Sequence, residues 1–125
     1  MRKYLVIFFI ITLLFAACDK RMDYDYYIVN NCDENIKVDI EVGYNNEFKS
    51  FVILPHEKKL VHHDTGINAL QDRLVEHFFK KITIKKGNKI SKVNYIDKDL
   101  WIFESTSKSH ANSYLIVNPE DFEDE

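Results

Sequence analysis

Hydrophobic and polar residues alternate most regularly in one short stretch of the chain, Ile36–Val42. Apolar residues at its even positions enclose Lys37, Asp39 and Glu41. Because successive side chains of a strand point to opposite faces, this period of two predicts a β-strand with one buried face and one face in water.

Further short strands are predicted on both sides of this one. Aromatic and β-branched runs between turn residues place them at Tyr24–Asn30, Phe48–Leu54, Lys59–His63, Lys80–Lys86, Ile90–Ile96, Trp101–Phe103 and Tyr114–Val117. Clusters of Asn, Asp, Gly and Pro predict turns at Asn30–Asn35, Gly43–Glu47, Pro55–Glu57 and Gly87–Asn88. The polar stretch Ser105–Ser113 is predicted to be a loop that joins the last two strands.

The period changes once, between the fourth and fifth predicted strands. Ile67, Leu70, Leu74 and Phe78 recur at helical spacing, which predicts a helix over Asn68–Phe78. Seven or eight short strands at a spacing of roughly 8–12 residues favour a mainly β fold, an antiparallel sandwich or barrel.

The first eighteen residues follow a different pattern. Arg2 and Lys3 precede Leu5–Ala17, thirteen residues that are apolar or small apart from Thr12. A helix that crosses a bilayer needs about 20 apolar residues, whereas the apolar part of a signal peptide has roughly 7–15. The stretch therefore predicts a secretory signal, and a permanent transmembrane helix is the weaker alternative.

The end of this signal resembles a bacterial lipobox. An ordinary cleavage site needs small residues at −1 and −3, but cleavage after Ala17 or Ala16 would place the bulky Phe15 or Leu14 at −3. Ala16 and Ala17 followed by Cys18 are similar to a lipobox, with Phe15 where most carry leucine. The resemblance implies cleavage between Ala17 and Cys18 and acyl chains on the Cys18 thiol. The alternative is that Cys18 is a spare thiol in an ordinary signal peptide.

These boundaries divide the chain into a signal peptide (residues 1–17), a lipidated cysteine with a short tether (18–23) and one β domain (24–125). The exported 108 residues are enough for a single core. Without Arg2 and Lys3 they carry 15 Lys and Arg against 20 Asp and Glu, a balance of −5. Nucleic acid is not an expected partner, because nucleic-acid binding needs a basic stripe.

Several features of the exported region resemble the small lipoproteins common in Bacteroidetes. They are the Tyr-rich first strand, Asn30-Asn31 before the alternating strand, the hairpin at Gly87-Asn88, and the ending Tyr114–Phe122, which is similar to a Tyr-x-Ile-x-x-x-Asp-aromatic ending of that group. The resemblance implies an antiparallel, immunoglobulin-like β-sandwich anchored in the cell envelope at the outer membrane. Together with the periodicity, we expect about seven strands and one inserted short helix. Surface and periplasmic display both stay open.

Little in the sequence predicts chemistry. No metal-ligand spacing links the histidines, which are His56, His62, His63, His77 and His110. His62 and His63 are adjacent, so on a strand they point to opposite faces, and the histidines are expected to be solvated on edge strands. There is no Gly-x-Ser-x-Gly elbow and no phosphate-binding loop. We therefore expect no metal, no cofactor and no enzymatic activity.

Two single residues have alternative interpretations. If Cys18 is lipidated, Cys32 has no partner for an internal disulfide, and burial is the commoner fate of a free cysteine. Trp101 follows Asp97–Asp99 at a loop edge and is a possible ligand contact, although a place in the core is favoured.

The sequence thus predicts a lipid-anchored, non-enzymatic binding or interaction module with an unknown protein or glycan partner. Recognition is expected in the loops Asn30–Asn35, Gly43–Glu47 and Ser105–Ser113. The alternative is a periplasmic inhibitor or immunity lipoprotein that blocks an enzyme, its acidic ending acting as a substrate mimic. A weaker alternative is a structural subunit packed by strand addition.

Overall fold

The computed structural model describes residues 21–43, 46–67, 75 and 78–123. These residues contain eight β-strands: β1 (Arg21–Asn30), β2 (Ile36–Val42), β3 (Glu47–Ile53), β4 (Lys58–Ile67), β5 (Phe79–Lys86), β6 (Lys89–Ile90), β7 (Trp101–Ser107) and β8 (His110–Val117). Sheet A has the strand order β4-β1-β8-β7, and sheet B has the order β3-β2-β5-β6. The mainly β prediction is confirmed, with eight strands rather than about seven.

The first and last strands are neighbours in sheet A and run parallel. All other strand pairs are antiparallel, so the expectation of a purely antiparallel fold is wrong at this pair. Parallel neighbours need a long connection between them, and here six intervening strands supply it, four of which build sheet B. The strand order also differs from the 1-2-5-4 and 7-6-3 sheets of an immunoglobulin constant domain, so the immunoglobulin-like class is not confirmed.

The two sheets pack face to face around one core. Met22, Tyr24, Tyr26 and Ile28 of β1 are buried, and the even positions of β2 are buried against them in the same cluster. Each large side chain removed from water stabilises the fold by about 1.5–3 kcal/mol. The predicted two-residue period of Ile36–Val42 is confirmed, with its charged positions on the outer face.

The structure corrects two boundaries taken from the sequence. Strand β1 begins at Arg21 and buries Met22, so the predicted tether over residues 18–23 loses its last three residues to the sheet. Most of Ser105–Ser113, predicted as a loop, belongs to the β7–β8 hairpin. Polar side chains do not prevent these strands from pairing, because the ladder uses backbone groups alone.

The predicted strand Ile90–Ile96 ends at its first residue. The Tyr95 hydroxyl lies 2.7 Å from Ser91 Oγ and 3.2 Å from Asp121 Oδ2. The Val93 N–H also donates to Ser91 Oγ, at 3.2 Å. These contacts turn the segment towards the end of the chain, so it leaves the edge of β5.

The predicted helix over Asn68–Phe78 falls almost wholly outside the described residues; of it, only Val75 and Phe78 are described. The described part of the chain contains short 3-10 turns at Lys98–Leu100 and Pro119–Phe122 but no α-helix. None of its helical segments has the length and apolar character that a membrane span requires.

Candidate functional site

The predicted lipidation and cleavage residues, Cys18 and Ala17, lie outside the described residues, so the structure leaves them as predictions. His77 also lies outside. The other candidate residues from the sequence are all described.

Trp101 is part of the core and is not an exposed ligand contact. Its side chain is 8 % exposed, and its indole N–H donates to the carbonyl of Tyr95 at 2.7 Å. The ring stacks on Phe79 and meets Tyr26 edge to face. The structure therefore places Trp101 in the core, which was the favoured alternative, and packing and hydrogen bonding already use the ring and its one donor.

Cys32 is buried, as expected, and is fully enclosed. Its Sγ lies 3.9 Å from the carbonyl oxygen of Val117. Burial is the main cause that raises the pKa of the Cys32 thiol, and nearby carboxylates such as Asp121 add to it against an opposing effect of Lys86. A buried thiol with a raised pKa is a poor nucleophile.

His62 and His63 point to opposite faces of β4, as the sequence predicts. The His62 ring is buried between Tyr26 and Phe79, and its Nδ1 lies 3.2 Å from Lys49 Nζ. Burial, followed by the positive charge of Lys49, lowers the pKa of His62. The expectation that the histidines are solvated is therefore wrong for His62, which belongs to the core.

His63 points outwards and takes part in a cluster centred on Asp25. One Asp25 oxygen lies 2.5 Å from His63 Nδ1, and the other lies 2.9 Å from His110 Nε2. His63 Nε2 also approaches Asp23, at 3.8 Å. We call these four residues the Asp25 cluster. The carboxylate bridges two imidazoles from the strands on either side of it.

Strand pairing explains why these residues meet. Asp25 lies opposite His63 on β4 and opposite Asn112 on β8. The side chain of Asn112 in turn lies 3.0 Å from His110 Nε2 and donates to the Tyr114 hydroxyl at 3.2 Å. The cluster is thus a continuous hydrogen-bonded network across three strands.

Two residues further along β1, the same face becomes apolar. Leu60, Tyr27, Tyr114 and Ile102 lie in register across all four strands of sheet A, and we call them the tyrosine row. The two tyrosine rings stack with their centroids 5.4 Å apart and their planes at 19°. Lys58 Nζ lies 5.0 Å from the centroid of Tyr27 and 5.4 Å from that of Tyr114.

The tyrosine row is accessible at both of its ends. Leu60 is 46 % exposed and Ile102 is 53 % exposed, and Ile116 next to the row is 40 % exposed. Burial, then the charge of Asp25 and the ring of Tyr114, raise the pKa of Tyr27. Its hydroxyl therefore stays protonated at neutral pH and can donate a hydrogen bond.

This face of sheet A carries several kinds of group that can contact a ligand. It combines exposed aliphatic ends, phenolic hydroxyls, two imidazoles and a carboxylate. Within the described residues no three or more His, Cys, Asp or Glu side chains are arranged to hold a metal ion. Three ring nitrogens of the Asp25 cluster, both of His63 and Nε2 of His110, instead face a carboxylate oxygen at hydrogen-bond or ion-pair distance.

The sequence analysis missed this face and placed recognition in loops. Its signal was present in part: Asp23, Asp25 and Tyr27 occupy alternate positions of a strand and so share one face. The partners from β4 and β8 had no sequence signal, since neither strand is adjacent to β1 along the chain.

Comparisons with models of protein families, with curated proteins and with solved structures find no match to this chain. No property of another protein is therefore carried over to this chain.

Proposed function

We propose that this chain is a lipid-anchored protein of the bacterial cell envelope, held at the outer membrane through Cys18, and that it acts as a non-enzymatic binding module. The observation that supports this most directly is the tyrosine row, which crosses all four strands of sheet A. Contiguous exposed apolar surface with a polar rim is typical of an interaction site, and the Asp25 cluster supplies such a rim on one side.

The geometry of the tyrosine pair favours a protein partner over a glycan. A sugar stacks on a free aromatic face, but Tyr27 and Tyr114 cover one another and Lys58 lies over both. The exposed residues at the ends of the row, Leu60 and Ile102, are aliphatic. Aliphatic and tyrosine side chains surrounded by hydrogen-bonding groups fit the apolar centre and polar rim of a protein interface.

The anchor and the domain would lie close together in this proposal. Only Asp19 and Lys20 separate Cys18 from the first residue of β1. Each buried CH₂ of an acyl chain adds about 0.8 kcal/mol of membrane binding, so two or three chains would hold the domain firmly at the bilayer.

The alternative, a periplasmic inhibitor with an acidic plug, has less support. Phe122 is 3 % exposed, and the Asp121 carboxylate accepts the backbone N–H of Asn118 at 3.1 Å. These two residues of the acidic ending are therefore used to close the fold.

The binding proposal is tested by charged substitutions on the tyrosine row. The full-length chain is expressed in cells of the source organism with a photo-crosslinking residue, whose reaction does not require lysine, in place of Ile116, and the cells are irradiated. The same is done with chains that also carry Leu60→Lys or Ile102→Lys. We expect a discrete crosslinked adduct with the parent chain and its loss in these variants. The matched control is Val52→Lys, which replaces a side chain 55 % exposed on the outer face of sheet B. An adduct that survives both row substitutions would contradict the proposal.

The anchor is tested separately by metabolic labelling with a fatty acid. The parent chain is expected to carry the label and to fractionate with the outer membrane, and Cys18→Ser is expected to abolish both. Protease treatment of intact cells then decides between surface and periplasmic display. An unlabelled parent chain would refute lipidation while leaving the crosslinking result interpretable.

A further inference from the structure

A cleft of about 370 Å³ lies on sheet B, away from the tyrosine row, between β5 and the segment Ser91–Ile96. It exists because β6 pairs only with Lys85 and Lys86 of β5. The last contact between the two is the Ser91 N–H, which donates to the carbonyl of Ile84 at 2.9 Å. Beyond it, the chain leaves β5, and among the described residues the first half of that strand pairs with β2 alone.

The open side of β5 offers backbone hydrogen-bonding groups to the cleft. In an antiparallel ladder, every second residue directs its N–H and C=O to the same neighbour. Since Ile84 faces β6, the backbone of Ile82 faces the same side. No hydrogen bond to Ile82 from that side is found in the part of the chain that the structure describes.

The cleft is also basic, although the whole chain has a net charge of −3: Lys80 and Lys81 line it, and no acidic residue does. The stretch 80–96 carries six lysines and no acidic residue: Lys80, Lys81, Lys85, Lys86, Lys89 and Lys92. Lys80 pairs with Glu41 at 3.4 Å. Lys81 is exposed and lines the cleft with no ion pair to a described residue.

Apolar side chains complete the lining. Ile90 is 57 % exposed at one side of the cleft. Val93 and Ile96 line the cleft and pack against the core from the other side. A ligand that fills the cleft must therefore bring apolar groups as well as negative charge.

We propose that this cleft is a docking site for an extended acidic segment of a partner protein, which adds to β5 as a strand. Its backbone would pair with Ile82, its carboxylates would face Lys81 and its neighbouring lysines, and its apolar side chains would contact Ile90 and Val93. This is the strand-addition mode of peptide recognition, in which the backbone gives affinity and alternate side chains give specificity.

The arrangement favours a peptide over a bilayer or a polyphosphate. Neither a lipid headgroup nor a polyphosphate offers the alternating donors and acceptors that a strand edge pairs with.

The test uses the full chain in mild detergent and three labelled ten-residue peptides, with binding measured by fluorescence anisotropy. The first alternates Glu and Val, the second alternates Lys and Val, and the third is the first peptide with every second amide N-methylated. We expect binding of the Glu-Val peptide alone, at least tenfold tighter than the other two, and weaker in high salt because screening reduces the attraction.

Two variants test whether the peptide binds at the cleft. Lys81→Glu is expected to weaken binding of the Glu-Val peptide at least fivefold, whereas Lys108→Glu, in the β7–β8 turn, is expected to leave it unchanged. Equal affinity for the N-methylated peptide would overturn strand addition, and equal affinity for phosphatidylglycerol vesicles or polyphosphate would overturn a peptide ligand. If none of these binds, the lysines serve only to protect an open sheet edge from aggregation. The outcome of these peptide measurements does not depend on whether the tyrosine row binds a partner.

Discussion

The side-chain amide of Asn30 donates to the carbonyl of Ile53 at 3.0 Å, and this contact joins the end of β1 in sheet A to the end of β3 in sheet B. The same nitrogen reaches the carbonyls of Glu34 at 2.8 Å and Leu54 at 3.1 Å. The amide oxygen accepts the N–H of Cys32 at 2.9 Å. Asn30 is completely buried, so these bonds replace all of its contacts with water.

Asn30→Asp is therefore expected to destabilise the protein strongly at neutral pH. The substitution keeps the Cys32 N–H as a donor to one oxygen but places the other carboxylate oxygen against three carbonyl oxygens. A buried charge that has no opposite charge beside it costs about 3 kcal/mol or more. Burial and repulsion from the carbonyl oxygens raise the pKa of the introduced carboxyl in the folded state. As the pH falls, this carboxyl becomes protonated and neutral, so the loss of folding free energy becomes smaller. Urea unfolding followed by Trp101 fluorescence at pH 7.5 and pH 5 measures this. Asn31→Asp, at the exposed neighbour, is the control, and equal losses at the two positions would contradict the interpretation.

Trp101→Phe is expected to lower the free energy of unfolding by about 1–3 kcal/mol. The phenyl ring keeps most of the stacking on Phe79, but the carbonyl of Tyr95 loses its buried donor. Circular dichroism during urea unfolding measures the change without relying on tryptophan emission. Ile102→Ala, at the exposed adjacent residue, is expected to change stability by less than about 0.5 kcal/mol. A Trp101→Phe variant as stable as the parent would show that this hydrogen bond contributes nothing.

His62 is expected to make the protein less stable as the pH falls below its ordinary pKa of 6.5. Burial and Lys49 lower the pKa of His62 in the folded state, so below pH 6.5 the unfolded chain binds a proton that the folded chain does not. Stability is then lost until the pH reaches the folded pKa, with a slope of at most about 1.4 kcal/mol per pH unit for one proton.

The contribution of His62 is isolated by comparing the parent with His62→Phe between pH 7.5 and pH 5. The difference between the two slopes cancels every other titrating group. We expect the free energy of unfolding of the parent to fall faster with decreasing pH than that of the variant. Parallel curves would show that His62 is accommodated equally well in both charge states.

The features that the sequence predicted correctly are local, because they depend on residues that are close together along the chain. The alternation of Ile36–Val42 specified a strand and its buried face, because side-chain direction in a strand is fixed residue by residue. Turn residues did the same at Gly87, whose φ of 62° suits glycine. Where a strand has polar residues on both faces, as β7 does at Ser105–Ser107, the pattern gives no signal, and the continuation of β7 beyond Phe103 was missed.

The sequence by itself determined that the chain is mainly β, where most strands lie and which side of β2 is buried. Only the tertiary structure decided that β1 lies between β4 and β8, which brings His63 and His110 to the two oxygens of Asp25 and stacks Tyr27 on Tyr114. The physical reason is that strand pairing uses backbone groups, which are nearly the same for every residue. The choice of partner strand therefore depends on how the whole core packs. The Asp25 cluster and the tyrosine row, whose residues come from separate strands, therefore leave no contiguous signal along the chain.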